Sequence, residues 1–219
     1  MMRKIYFAVF IYLFINTAAG AQTSQDWSDK WMAYSISSAL EPGSKTVIRT
    51  AKAITENYPG GYSVAQACAV FDYLFNNWIY MRDPGGKDYF EEASIGVKTL
   101  TGDCDDYAIT MVSLLGALGG DGRIICVSGH AYPELYVGKN LTEDDLNDLL
   151  KSIKNYYQPN RKVYVNKMHY HKDSDNTVWL NLDWQENYPG GMFVDETPNS
   201  DHLVIYSNGK YRRAYLNSE

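Results

Sequence analysis

The reading of the fold turns on one stretch, Thr101-Gly-Asp-Cys-Asp-Asp-Tyr-Ala108, with Cys104 at its centre. Beyond it Ile109, Val112 and Leu115 recur at helical spacing, so a helix is expected to start here. Gly102 breaks whatever element precedes it. Asp103, Asp105 and Asp106 crowd the start, where carboxylates suit the positive end of a helix dipole. Cys104 is therefore expected at or just inside a helix N-terminus, where unpaired amides favour a thiolate. The three carboxylates act in the opposite sense, so such a thiolate needs a basic partner, and a histidine is the natural one. A lone cysteine is ordinarily a small buried hydrophobe. Cys68, in Ala67-Cys-Ala-Val70, and Cys126, in Ile124-Ile-Cys-Val127, have the apolar neighbours of that role, and Cys104 does not. Three cysteines leave at least one unpaired; Cys68 and Cys126 fit either a disulfide or two reduced core thiols.

Upstream of this stretch the pattern is helical. Asp26 to Leu40 is a tryptophan-containing lead-in, and Glu41-Pro-Gly-Ser44 is a turn. Lys45 to Asn57 places Val47, Ile48, Ala51 and Ile54 on one face. Ser63 with Gln66 has the form of a capping box, opening a helix that runs to about Trp78. Asp83 to Leu100 reads as a long loop, long enough to cover something. Downstream the period changes. Arg123–Val127, Gly129–Val137, Arg161–Val165 and Thr177–Trp184 read as strands, and Leu141–Tyr156 as a helix with an acidic start. Leu203–Tyr206 and Tyr211–Leu216 form a hairpin about Ser207-Asn-Gly209. The hexapeptide Glu-Asn-Tyr-Pro-Gly-Gly occurs at 56–61 and 186–191 with unrelated flanks, a turn used twice. Helices first and strands later predict an α+β fold.

The chemistry narrows to few side chains. Of the four histidines, His130 opens the strand His130-Ala-Tyr-Pro-Glu-Leu-Tyr-Val137, sharing a face with Tyr132, Glu134 and Tyr136. Pro133 implies an edge strand or a bulge. In Val178-Trp-Leu-Asn-Leu-Asp-Trp184, alternation puts Val178, Leu180 and Leu182 on one face and Trp179, Asn181 and Asp183 on the other. A carboxylate in so apolar a strand needs a partner, and a histidine needing orientation supplies one. Cysteine, histidine and aspartate in this order, the first on a helix and the others on strands, have the logic of a catalytic triad.

Gly102-Asp-Cys-Asp-Asp-Tyr-Ala108, Arg123, His130-Ala-Tyr-Pro-Glu134 and Leu182-Asp-Trp184 together resemble the transglutaminase-like family of the papain-like superfamily, over about residues 63–195. The resemblance implies a papain-like core with the nucleophile helix packed against an antiparallel sheet. It also implies Cys104 as nucleophile, His130 as base and Asp183 as orienting carboxylate, without a cofactor. Tyr132 stands where the family often has tryptophan, and the segment from Gly138 to Asp175 is long for the family, long enough to shape or cover the site. Asp195 is a rival to Asp183, but Asp195-Glu-Thr-Pro198 reads as a loop. Metal readings lack ligands: His169-Tyr-His171 has no evident third partner, with exposed loop histidines as the simpler account. Asp173-Ser-Asp-Asn-Thr177 lacks the central glycine and closing glutamate of a calcium loop.

The 219 residues divide in expectation into 1–21, a signal peptide; 22–62, a helical extension; and 63–219, the transglutaminase-like domain. Arg3 and Lys4 precede an apolar run of 11 residues, Ile5 to Ile15, and Ala19-Gly-Ala21 fits a cleavage site. Cleavage after Ala21 would make the protein secreted or periplasmic and take its charge from −6 to −8. So acidic a chain without a basic stripe is a poor ligand for nucleic acid. No later stretch suits stable membrane insertion. The expected partner is a peptide or protein substrate, cell-wall peptide included, with amide hydrolysis favoured over amine transfer. A non-catalytic binding module of the same fold is the rival class.

Overall fold

Helix α5 (Cys104–Ala117) has no solvent face over most of its length: every residue from Asp106 to Leu115 is buried. Its sequence allows this, because apolar residues run round the whole helix rather than along one stripe. The computed structural model describes residues 26–86, 88–159, 163–193, 201–216 and 219. Before α5 come a helix α1, described over 26–39, then α2 (Lys45–Ile54), α3 (Val64–Asn77) and α4 (Ala93–Thr99). Strands β1 (Ile79–Tyr80) and β2 (Thr101–Gly102) form a short parallel pair that delivers the chain to Cys104. After α5 follow β3 (Gly122–Val127), β4 (His130–Lys139), α6 (Glu143–Tyr157), β5 (Tyr170–Lys172), β6 (Thr177–Asn181), β7 (Asp201–Tyr206) and β8 (Tyr211–Tyr215).

The fold is α+β. Strands β3 to β8 make an antiparallel sheet in the order β5-β6-β4-β3-β7-β8. Helix α5 packs across β3 and β4, with α2, α3 and α4 against it and α6 against α3. Ile124, Leu135, Leu180, Leu203 and Ile205 meet α5 and the other helices in the main core, which also takes in Ile36 of α1 and Val47 of α2. The residues alternate along the strands, so Ile125, Tyr132 and Val204 form a second, smaller cluster on the far face. Asp29 of α1 accepts two hydrogen bonds from Arg213 of β8, at 2.7 and 2.6 Å, closing the far edge of the sheet.

Local chemistry sets the boundaries. Gln66 donates its backbone N–H to the Ser63 side chain, and Ser63 N–H donates to the Gln66 side chain at 3.2 Å, the reciprocal cap that starts α3. Thr142 and Asp145 start α6 in the same way. The stretch expected as a loop from Asp83 to Leu100 contains α4. Its seven residues show no amphipathic period and carry Gly96 at the centre. A Cβ there would lie 2.3 Å from Thr110 Oγ1, so the glycine is there for the close approach of α4 to α5. Of the strand expected at Arg161–Val165, residues 161 and 162 lie outside the described residues and 163–165 are not in a strand. The strand actually added to the sheet is β5, too short to show a period. Leader residues 1–21 and Asp195 also lie outside the described residues. No helix among the described residues is long and apolar enough to cross a membrane.

Pro133 is not at an edge. Strand β4 lies between β3 and β6, and Pro133 pairs with Ile124. The pairing with β6 begins only at Glu134, opposite Asn181. Pro133 O accepts from Leu182 N–H at 3.0 Å, and the N and C=O of one residue point to the same side of a strand. The missing N–H thus faces the place where β6 ends and the chain turns out of the sheet.

Candidate active site

Three elements converge where α5 begins. Cys104 is the first residue of the helix, among the N–H groups that a helix leaves without internal partners. His130 follows the tight turn Ser128–Gly129, where Gly129 takes a φ of +77°, between β3 and β4. Asp183 stands just past the end of β6. Its N–H donates to Asn181 Oδ1 at 3.0 Å, and Asn181 Nδ2 donates to the Gly191 and Met192 carbonyls at 2.9 and 3.2 Å. Asn181 is thereby a fully buried bracket holding the carboxylate in place. Its place on the Asp183 face was legible; its hydrogen bonds to residues ten and eleven positions on were not.

The structure brings Cys104, His130 and Asp183 together. His130 Nε2 lies 2.8 Å from Asp183 Oδ2, and His130 lines the same hollow as Cys104. Asp183 is 2% exposed. Burial on its own would depress the His130 pKa, but the Asp183 hydrogen bond and the nearby Cys104 outweigh it and push it up to about 9. The ring is backed by Tyr132, stacked at 5.8 Å, and flanked by Trp184 at 6.5 Å.

The three carboxylates around Cys104 are less opposed to a thiolate than their number suggests. Burial, then the closeness of Asp103, raises the Asp105 pKa well above the usual carboxylate range. Asp106 is pushed up to about 6, chiefly by burial, and accepts from Glu91 N–H at 2.7 Å and Asp103 N–H at 3.3 Å. An oxygen of each of Asp103, Asp105 and Asp106 lies within 4.8 Å of the others, close enough to share a cation. The Asp106 oxygens are already committed to backbone amides, and the group serves to cap α5 and hold the Glu91 strand-like entry against it. Gly102, at φ +150°, makes room, since a Cβ there would lie 2.5 Å from an Asp106 oxygen.

Cys104 and His130 open onto two hollows. One, about 470 Å³, is walled by Phe75, Trp78, Tyr80, Tyr107 and Trp184. Its rings contact one another: Tyr107 lies 4.6 Å from Trp184 and 5.6 Å from Trp78, and Trp78 Nε1 donates to Gly102 O at 3.2 Å. The other, about 310 Å³, is walled by Asp83, Asp88, Phe90, Asp103 and Asp105, with Arg82. The 83–100 stretch therefore does reach the site. No described residue of 138–175 lines either hollow, and helix α6 of that segment lies on α3 instead. The aromatic walls were missed because helical periodicity assigns Phe75 and Trp78 to a core stripe without showing which end of it is open.

The other expected groups lie elsewhere. His171 is not an exposed loop histidine: it is fully buried in β5, with Nδ1 hydrogen-bonded to Glu134 Oε1. Glu134 also accepts from Arg123 Nε at 2.6 Å, and Arg123 Nη1 donates to both Asp173 oxygens, at 3.0 and 2.9 Å. The Arg123 guanidinium lies 4.4 Å over the Trp179 ring. Asp173 is thus a partner of arginine. All three cysteines are free thiols, so the disulfide alternative is not taken; burial pushes the thiols of Cys68 and Cys126 well up.

Comparison with known proteins gives little. No family model matches the chain, and no curated protein matches it. Among solved structures, a "putative cysteine protease" from Cytophaga hutchinsonii is similar at 14% identity and a TM-score of 0.38, over 79% of this chain and 50% of that one. The chain spans half the length of that structure.

Proposed function

We propose that this chain is an exported transglutaminase-like cysteine enzyme that hydrolyses amide bonds of peptide, isopeptide or cell-wall type. The observation that supports the reading is that His130, hydrogen-bonded to the Asp183 carboxylate, lines the same open hollow as Cys104. The leader-like residues before Ala21 support export. In the proposed reaction Cys104 Sγ, as thiolate, attacks the amide carbonyl carbon, and the carbonyl electron pair moves onto oxygen. The Cys104 backbone N–H contributes to holding that oxyanion. The His130 imidazolium gives its proton to the leaving amine as the C–N bond breaks, leaving a thioester. Water then attacks the thioester, neutral His130 takes its proton, and the C–S bond breaks to free the acid and restore the thiolate. Asp183, at Nε2, keeps the ring oriented and stabilises its charged form.

Transfer to an amine would begin with the same thioester and differ only in excluding water. The charged groups Asp83, Asp88 and Arg82 beside Cys104 favour a wet site and so hydrolysis. The test offers a glutamine-containing peptide, or a cell-wall peptide, together with a labelled primary amine at millimolar concentration. Mainly hydrolysed product, absent in Cys104→Ala, is expected. Product dominated by the amine adduct would make the protein a transferase. Absence of Cys104-dependent turnover on every substrate would favour a binding module.

A further inference from the structure

The two hollows that meet at Cys104 differ in chemistry. The larger has five aromatic side chains in its wall, and among its described lining residues there is no Asp, Glu, Lys or Arg. The smaller carries Asp83, Asp88, Asp103 and Asp105 against Arg82. Both share Tyr80, Cys104, Gly129 and His130, so a chain laid across the thiol must place a group on each side. A carboxylate entering the aromatic side would lose its water, and the one cationic group among the described wall residues, His130, is already paired with Asp183, so the cost is one that an apolar ring avoids. Phe75 and Tyr80 are exposed at 36% and 52%, large rings left in water at the mouth of the hollow, while Tyr107 and Trp184 close it from within.

We infer that the aromatic hollow is a specificity subsite for an uncharged, ring-bearing or bulky apolar side chain adjoining the bond to be cleaved. The inference rests on the proposed amide-cleaving reading for the meaning of the site. It does not rest on turnover for its test. The ligand's ring packs among Phe75, Trp78 and Trp184, and its burial supplies the affinity. An acidic side chain at the same place is disfavoured further, since Asp83, Asp88 and Asp103 in the hollow beside it outnumber Arg82 there.

The experiment measures binding to full-length Cys104→Ala by isothermal titration calorimetry. The probes are the N-acetylated tripeptide amides Ala-Phe-Ala and Ala-Glu-Ala. The phenylalanine peptide is expected to bind about tenfold tighter or more, the share that burying one ring supplies. Adding Phe75→Lys, at an exposed position, should shrink that ratio to about threefold or invert it, because the lysine gives the glutamate a partner. Tyr80→Lys should act in the same direction and serves if the first variant folds poorly. Equal affinities, preference for glutamate, no binding of either peptide, or a ratio indifferent to both lysines would overturn the inference. Loss of turnover in the wild type with the binding preference intact would instead sink the catalytic reading and leave the subsite standing.

Discussion

Two histidine–carboxylate pairs among the described residues lead opposite lives. His130 meets Asp183 at 2.8 Å and shares the wall of an open hollow with Cys104. His171 meets Glu134 with no exposure at all, and behind Glu134 lie Arg123 and then Asp173. Burial by itself would raise the Glu134 pKa, but Arg123 and His171 outweigh it and hold the carboxyl below its usual value. The same two side-chain types thus make a site able to exchange a proton in one place and a closed ionic joint in the other. Access and the third partner decide which, a thiol in the first case and a guanidinium in the second.

The comparison breaks most sharply under substitution. Cys104→Ala should cost about 10⁴-fold or more in turnover while leaving the denaturation midpoint nearly unchanged. Glu134→Ala should do the reverse: it removes the buried carboxylate shared by Arg123 Nε and His171 Nδ1 and should cost about 3–5 kcal/mol of stability in a urea titration. A Glu134→Ala protein as stable as wild type would show that the buried pair is no joint.

Asp183→Asn sharpens the proton side. It should lower kcat/KM about 10²-fold, the usual share of a positioned acid–base group. As pH rises through about 9, His130 loses its proton, and with it the acid that the proposed reaction uses to protonate the leaving amine. Activity should therefore fall on the alkaline side near pH 9. With asparagine at 183 the proton is held less well, so that fall should move to lower pH, toward the unperturbed histidine value of about 6.5. An alkaline limb that stays put would remove Asp183 from the pair.

The smallest expected effect concerns the thiols. At pH 7 iodoacetamide should label Cys104 roughly tenfold faster than Cys68 or Cys126, whose thiols are pushed up by burial. His130→Ala should slow the labelling of Cys104, and His171→Ala should not. Mass spectrometry of the labelled peptides reads both.

Much of this arrangement was legible in the chain because it rests on local pattern. The acidic cluster before an apolar period placed Cys104 at a helix start; the strand expected to run to Trp184 ends at Asn181, and Asp183 follows just past it. What stayed hidden depends on contacts between distant residues. Helix α4 exists because Gly96 can touch Thr110, which its own seven residues do not announce. Pro133 looked like an edge residue because a missing N–H is usually hidden at an edge; here the end of β6 hides it inside the sheet. Asp173 looked like part of an incomplete calcium loop because Arg123, fifty positions earlier, is invisible to a local reading.

Helix α5, buried on every side, also bears on motion. Amides of such an element exchange with solvent only when the whole protein opens. Hydrogen–deuterium exchange should find Ile109 to Leu115 among the last to be labelled, with Ser128 and Gly129 far ahead of them. The thiol is then mounted on a part that does not yield, and the imidazole on a part next to a glycine turn. In the proposed reaction, any change in the gap between sulfur and ring is then expected on the His130 side, so the hairpin rather than the helix would set the clock of the site.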